Sequence, residues 1–119
     1  MEHKDLEVWQ VGIKLVTEVY KISKQFPKDE QFGLTSQIKR CAVSIPSNIA
    51  EGSARNYDKE MLQFLYIALG SLAELETQIV IANELNFLND SVKIYDMIGT
   101  EKKLLLGLIK YLKSKKDVK

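Results

Sequence analysis

The sequence predicts an all-α protein, an up-and-down four-helix bundle whose second helix is kinked at a proline. Apolar residues recur at three- and four-residue spacings in four successive segments, which is the periodicity of amphipathic helices. Only 2 prolines and 6 glycines interrupt 119 residues, and 45% of the residues are hydrophobic. We therefore expect a single domain over residues 1–119, with helices at about 6–25, 30–54, 57–86 and 90–113.

The first predicted helix carries two apolar stripes. One stripe has the spacing of a left-handed bundle seam and contains Leu6, Trp9, Ile13, Val16 and Tyr20. The other lies further round the helix and contains Val8, Val11, Leu15, Val19 and Ile22. Because one bundle core needs only about three positions in seven, two stripes mean that the helix either sits deep between its neighbours or also faces another subunit. We favour the second explanation and expect the second stripe to be an oligomer interface.

The second predicted helix combines a core stripe, a polar face and a proline. Its core stripe contains Leu34, Ile38, Cys41, Ile45 and Ile49. Pro46 lacks the N–H that would bond the Ala42 carbonyl, and its ring crowds that carbonyl, which predicts a kink or a break. The polar face contains Gln37, Arg40, Ser44, Ser47, Asn48, Glu51 and Arg55.

The third helix is the most apolar of the four, and the fourth is the least regular. Little of the third helix is expected to face water, and Gly70 at its middle predicts close packing against another helix. The fourth helix continues a seam through Ile94, Ile98 and Leu105, although Glu101 falls on that seam. The single cysteine, Cys41, is expected to be a small buried hydrophobe.

The residues do not favour enzyme chemistry. A di-iron or di-manganese bundle needs inward-facing Glu-x-x-His pairs, but the only histidine is His3, outside the predicted helices. Cys41 and the serines have no histidine base, and no glycine-rich phosphate loop follows a strand. We expect a non-catalytic protein without a metal site or a cofactor.

The charge distribution offers candidate nucleic-acid contacts. The formal net charge is +1, but residues 91–119 contain eight lysines against three acids. Arginine and lysine can pair with phosphates, so the candidates are Lys39, Arg40, Arg55, Lys59, Lys102, Lys103, Lys110 and Lys113. The alternative for Arg55 is an intrahelical pair with Glu51, four residues before it. RNA or DNA is therefore a candidate partner.

The chain contains only short apolar runs, such as Leu104–Leu106, so no membrane-spanning segment is expected. Residues 1–25 alternate charged and apolar positions, unlike the apolar core of a secretory signal. The sequence predicts a cytoplasmic protein with no membrane partner.

Two runs in the second helix, Gly33–Ile38 and Arg40–Gly52, carry a resemblance to a known family. The second includes the unusual stretch Ser-Ile-Pro-Ser-Asn-Ile-Ala-Glu-Gly, and similar landmarks occur in order at Leu6–Trp9, Phe26–Pro27 and Phe64–Glu76. The sequence resembles the four-helix-bundle proteins encoded in intervening sequences of bacterial 23S ribosomal RNA genes. The resemblance implies an up-and-down bundle that assembles into a homopentameric ring.

The resemblance extends to the accessory protein of diversity-generating retroelements, which binds nucleic acid and contacts a reverse transcriptase. It implies that the chain binds structured RNA or another nucleic acid, or serves as an adaptor for a nucleic-acid enzyme. The alternative is an oligomeric scaffold that binds a protein partner and has no nucleic-acid role.

Overall fold

A computed structural model describes residues 2–116 of the chain, and these residues form four helices and no strand. The helices are α1 at Glu7–Ser23, α2 at Leu34–Ser53, α3 at Asp58–Glu84 and α4 at Val92–Lys116. Short 3₁₀ turns at His3–Asp5 and Lys28–Glu30 precede α1 and α2. The all-α prediction is confirmed, and each predicted helix lies within a few residues of an observed one.

The helices form an elongated antiparallel bundle of about 52 × 23 × 20 Å. Each helix packs against its neighbours in sequence, and α1 also packs against α4, so α1 and α3 lie diagonally across the bundle. Fully buried aliphatic side chains from all four helices fill the core, among them Leu15, Ile45, Leu72 and Leu105. The bundle arrangement is therefore the one that the apolar periodicities predict.

The structure reverses the predicted roles of the two α1 stripes: the stripe that was expected to face another subunit is the more buried one. Leu15 and Val19 are 0% exposed within the single chain, and Val8 and Ile22 are also buried, with Val11 half-buried beside them. These residues offer little surface to a second subunit, because α2 and α4 pack against α1 and already cover them. The other stripe is the more exposed one, since Ile13 and Tyr20 lie at the surface and Trp9 and Val16 only border the core.

Helix α2 continues through Pro46 without a break. The predicted kink at this position stays a prediction.

Near its end, α2 approaches α3 closely at Gly52, where an added Cβ would lie 2.9 Å from the Phe64 Cβ and 3.3 Å from the Met61 carbonyl oxygen. Glycine is therefore required at this helix contact.

Helix α3 is the longest of the four, and much of its apolar surface faces outward. By length and composition alone it could cross a membrane, which the sequence analysis did not anticipate, although a core helix of a soluble protein meets the same criteria. Only 33% of its most apolar window is buried. The close packing predicted at Gly70 is not made by any helix of the described chain, because a Cβ added there would meet nothing within 4 Å.

Candidate nucleic-acid interface

Four of the predicted site residues share the exposed side of α4. Lys102, Lys103, Lys110 and Lys113 fall within an arc of about 100° on an ideal helix and span about 16 Å along it. All four are exposed, and none forms an ion pair with any residue in the described range. We call this set the α4 lysine face.

A tyrosine from the neighbouring helix contacts this face. The Lys113 ammonium donates a hydrogen bond to the Tyr66 hydroxyl of α3 at 3.3 Å. Tyr66 is itself 47% exposed, so an aromatic ring lies at the surface beside the lysines. Aromatic rings beside cationic side chains are a common combination in nucleic-acid binding sites, because bases stack on the rings while cations meet the phosphates. The sequence analysis did not single out this tyrosine.

A buried carboxyl lies on the inner side of the same helix. Glu101 is 0% exposed, and neither of its carboxyl oxygens has a hydrogen-bond partner in the described chain. Burial raises the pKa of Glu101 to about 8, so its carboxyl is mostly neutral at pH 7. No other acid occurs between Lys102 and Lys116, so little negative charge on this part of α4 offsets its lysines.

Near the α2–α3 connection, Arg55 is already paired with an acid. Arg55 forms the predicted intrahelical pair with Glu51, at 3.1 Å, and its guanidinium lies 4.7 Å from the centre of the Phe64 ring. Asp58 pairs with Lys115 of α4 at 3.3 Å, which brings the end of α4 to the beginning of α3. Lys59 is exposed at this end of the bundle.

Lys39 and Arg40 are neighbours in sequence but lie on different sides of α2. The Lys39 ammonium is 4.9 Å from the centre of the Tyr20 ring on α1. Arg40 instead lines a polar groove between α2 and α3, where its guanidinium donates to the Ser36 hydroxyl at 3.1 Å. The eight predicted contacts therefore form no single surface, and only the four on α4 lie together.

The polar groove between α2 and α3 has a volume of about 340 Å³ and includes Cys41 in its wall. The Cys41 thiol donates a hydrogen bond to the Ser71 carbonyl at 3.0 Å. Burial, and to a smaller extent the Glu74 carboxylate, raises the pKa of the Cys41 thiol to about 12. Cys41 is therefore a buried thiol held in its neutral form, as the sequence analysis expects, and not a reactive thiolate.

A second groove, between α1 and α2, is apolar and has a volume of about 330 Å³. We call it the α1–α2 groove, and its walls include Trp9, Ile13, Val16, Val43, Pro46 and Ala50. Within the described residues, no cluster of three or more His, Cys, Asp or Glu side chains could hold a metal ion.

Comparison with known proteins places this bundle in a family. The family model described as 23S rRNA-intervening sequence protein matches residues 4–107, which include all of α1, α2 and α3 and most of α4. No curated protein matches the chain significantly.

Proposed function

The chain belongs to the family of 23S rRNA-intervening sequence proteins, and we propose that it binds structured RNA through the α4 lysine face as a non-catalytic homo-oligomer. If its ligand is structured RNA, we expect the protein to act in the cytoplasm. The proposal extends to an adaptor role, in which the bound RNA or DNA brings the protein to a nucleic-acid enzyme.

The observation that carries the proposal is the group of four exposed lysines on one helix face, none of which forms an ion pair with the described residues. Phosphate contacts supply most of the non-specific affinity of nucleic-acid binding proteins, because each contact releases condensed counterions. The α4 lysine face spans about 16 Å, enough to meet several phosphates along one backbone. Arg55 is less suited to this role, since Glu51 already neutralises it.

Self-association would strengthen this binding. Four lysines on one small bundle make a weak electrostatic field, since the formal net charge of the whole chain is only +1. In a closed oligomer, each subunit would present its own α4 lysine face to the same RNA. Linked contacts of this kind raise the overall affinity above that of one site without any new contact.

The test is RNA binding measured by fluorescence anisotropy with a labelled RNA hairpin, titrated at several salt concentrations. The variant replaces Lys102, Lys103, Lys110 and Lys113 with glutamine. We expect its affinity at low salt to fall at least tenfold. The slope of log affinity against log salt should decrease by about 1 for each lysine that meets a phosphate.

A charge-matched variant provides the control. It replaces Lys14, Lys21, Lys24 and Lys28 with glutamine, which are exposed and lie on or just after α1. Equal loss of affinity in both variants would show that only net charge matters and would contradict the assignment to α4. No binding by the unmodified protein at low salt would refute the RNA-binding proposal itself.

A specific observation also supports a second candidate function, that of a scaffold for a protein partner. The α1–α2 groove is apolar and open at the surface, and it includes the exposed side chains Ile13 and Val43. Grooves of this kind commonly receive another protein. If RNA does not bind but the protein assembles, the scaffold role becomes the better account.

A further inference from the structure

The polar groove between α2 and α3, which we call the α2–α3 groove, contains two opposite charges that do not pair with each other. Arg40 of α2 and Glu74 of α3 both line it, and neither forms an ion pair with any described residue. The Arg40 guanidinium has five N–H donors and bonds the Ser36 hydroxyl. Most of its donors are therefore left for a ligand in the groove.

Hydrogen-bond acceptors are in excess at the inner end of this groove. Gln78 is buried one turn after Glu74, and its side-chain amide donates to the Glu74 carboxylate at 3.5 Å. The Gln78 carbonyl oxygen has no hydrogen-bond partner in the described chain. The Cys41 thiol in the groove wall already donates to the Ser71 carbonyl at 3.0 Å. A ligand that brings donors would therefore meet acceptors that the described chain leaves without partners.

The charges of the α2–α3 groove favour a polar base over a phosphate. A phosphate would be repelled by the Glu74 carboxylate, whereas a neutral group with adjacent donors and an acceptor would not. On its Watson–Crick edge, guanine presents two neighbouring donor groups, N1–H and the 2-amino group, beside the O6 acceptor. Each of the other three RNA bases has a single donor group on that edge. Guanine therefore matches a carboxylate and a guanidinium that lie in one groove.

We propose that the α2–α3 groove binds an unpaired guanine of the RNA. The Glu74 carboxylate accepts hydrogen bonds from N1–H and the 2-amino group, and the Arg40 guanidinium donates to O6 and N7. The groove volume of about 340 Å³ is typical of small-ligand sites. This inference rests on the RNA binding in the proposed function, and it adds a base preference that phosphate contacts cannot supply. The guanine comes from a loop or a bulge, where its edge is free.

The α2–α3 groove and the α4 lysine face lie on two sides of α3 at the same level of the bundle. Lys102 lines a groove between α3 and α4 together with Ala73, the residue that precedes Glu74. About one helix width, roughly 10 Å, separates the two sides. The exposed residues Gly70 and Ala73 make the intervening surface low, since a Cβ added at Gly70 would meet nothing within 4 Å. RNA held on the lysines can therefore cross α3 and place a base in the groove.

The test compares RNA hairpins that differ in one loop base, using fluorescence anisotropy. All hairpins share one stem and a loop of uridines, with guanine, adenine or inosine at the central position of the loop. We expect the guanine hairpin to bind about tenfold more tightly than the adenine hairpin, because bidentate base contacts discriminate on this scale. Inosine is guanine without the 2-amino group, so its hairpin should bind with intermediate affinity.

Two matched variants of α3 locate the preference. Glu74→Gln and Glu76→Gln each remove one exposed carboxylate from the same helix. Both should bind the adenine hairpin at least as tightly as the native protein does, because each loses a negative charge. Glu74→Gln should reduce the guanine preference to less than about threefold and make inosine equivalent to guanine, since an amide cannot accept both hydrogen bonds. Glu76→Gln should keep both differences.

A second pair of variants tests the guanidinium. Arg40→Gln should weaken the guanine hairpin more than the adenine hairpin, because it removes the donors for O6 and N7. Lys14→Gln removes an exposed charge of α1 and should weaken both hairpins alike. Because all four substituted side chains are exposed, each variant should keep the helical circular dichroism of the native protein.

The outcomes separate this inference from RNA binding itself. Native protein that binds guanine and adenine hairpins equally well overturns the guanine site and leaves the α4 lysine face in place. A preference that survives Glu74→Gln, or that Glu76→Gln abolishes to the same extent, also overturns the site. If the native protein binds none of the hairpins even at low salt, the RNA-binding proposal fails, and the guanine site fails with it.

Discussion

Replacing Glu101 with glutamine should remove a large pH dependence from the stability of the bundle. Glu101 is completely buried, and its carboxyl oxygens have no hydrogen-bond partner in the described chain. Burial raises its pKa from 4.5 to about 8, because the charged form loses its hydration. The folded protein therefore holds this proton more tightly than the unfolded chain does.

The magnitude follows from the difference between the two pKa values. The shift of about 3.5 pH units (8 − 4.5) corresponds to about 5 kcal/mol, at 1.36 kcal/mol for each unit. The stabilisation that the raised pKa of Glu101 gives the folded protein is fully present below about pH 4.5. It is lost progressively as the pH rises to about 8 and does not change further above that pH. A loss of this size is a large fraction of the stability of a typical domain.

Urea denaturation followed by circular dichroism between pH 4.5 and 9 measures the effect. The free energy of unfolding of the native protein should fall relative to that of Glu101→Gln by about 1.4 kcal/mol for each pH unit between the two pKa values. The glutamine variant keeps the size and neutrality of the protonated side chain, and all other titrating groups are common to both proteins. Parallel stability curves across this range would refute the argument, because they would mean that Glu101 titrates alike in the folded and unfolded chains.

Three further predictions test local packing and the candidate site. Gly52→Ala should destabilise the protein by about 1 to 3 kcal/mol, because its Cβ would lie 2.9 Å from the Phe64 Cβ and 3.3 Å from the Met61 carbonyl oxygen. Gly107→Ala, whose Cβ would meet nothing within 4 Å, should stabilise it by up to about 1 kcal/mol in the same denaturation assay. Cys41 should react with iodoacetamide much more slowly in the native protein than in urea, and equal rates measured by mass spectrometry would contradict its burial. Arg55→Gln should change RNA affinity less than the four-lysine variant of α4 does, because Glu51 already pairs with Arg55; a larger loss in the anisotropy assay would move the interface to the α2–α3 connection.

The sequence was sufficient to predict the helices because apolar periodicity records which residues share a helix face. It was not sufficient to decide which face is inside. The two stripes of α1 have similar spacing, and only the positions of α2 and α4 show that Leu15 is covered and Ile13 is not. The stripe that was predicted to face another subunit is therefore buried within the single chain, although exposed apolar side chains of the kind that motivated the prediction are present on α1, α2 and α3.

The candidate site was predictable in part for the same reason. The four lysines of α4 lie on one helix, so their spacing alone places them on one side. Lys39 and Arg40 are consecutive and so lie about 100° apart on α2. Their different surroundings depend on the positions of α1 and α3, which the sequence does not give. The sequence places Glu101 on the apolar seam of α4. Its complete burial depends on how the other helices pack around it, including Gly12 of α1.

The up-and-down connectivity has a consequence for how the chain folds. Helices α2 and α3 are separated only by residues 54–57 and share the most extensive contact in the bundle, so the hairpin that they form closes a short loop. Proteins dominated by such local contacts fold quickly. Among the four described helices, α1 and α4 are the only pair that pack together without being consecutive in sequence. During synthesis α4 is the last of the four helices to leave the ribosome, so the α2–α3 hairpin and α1 can associate before it arrives. The helix that carries the lysines and the buried carboxyl would then complete the bundle in the final step of folding.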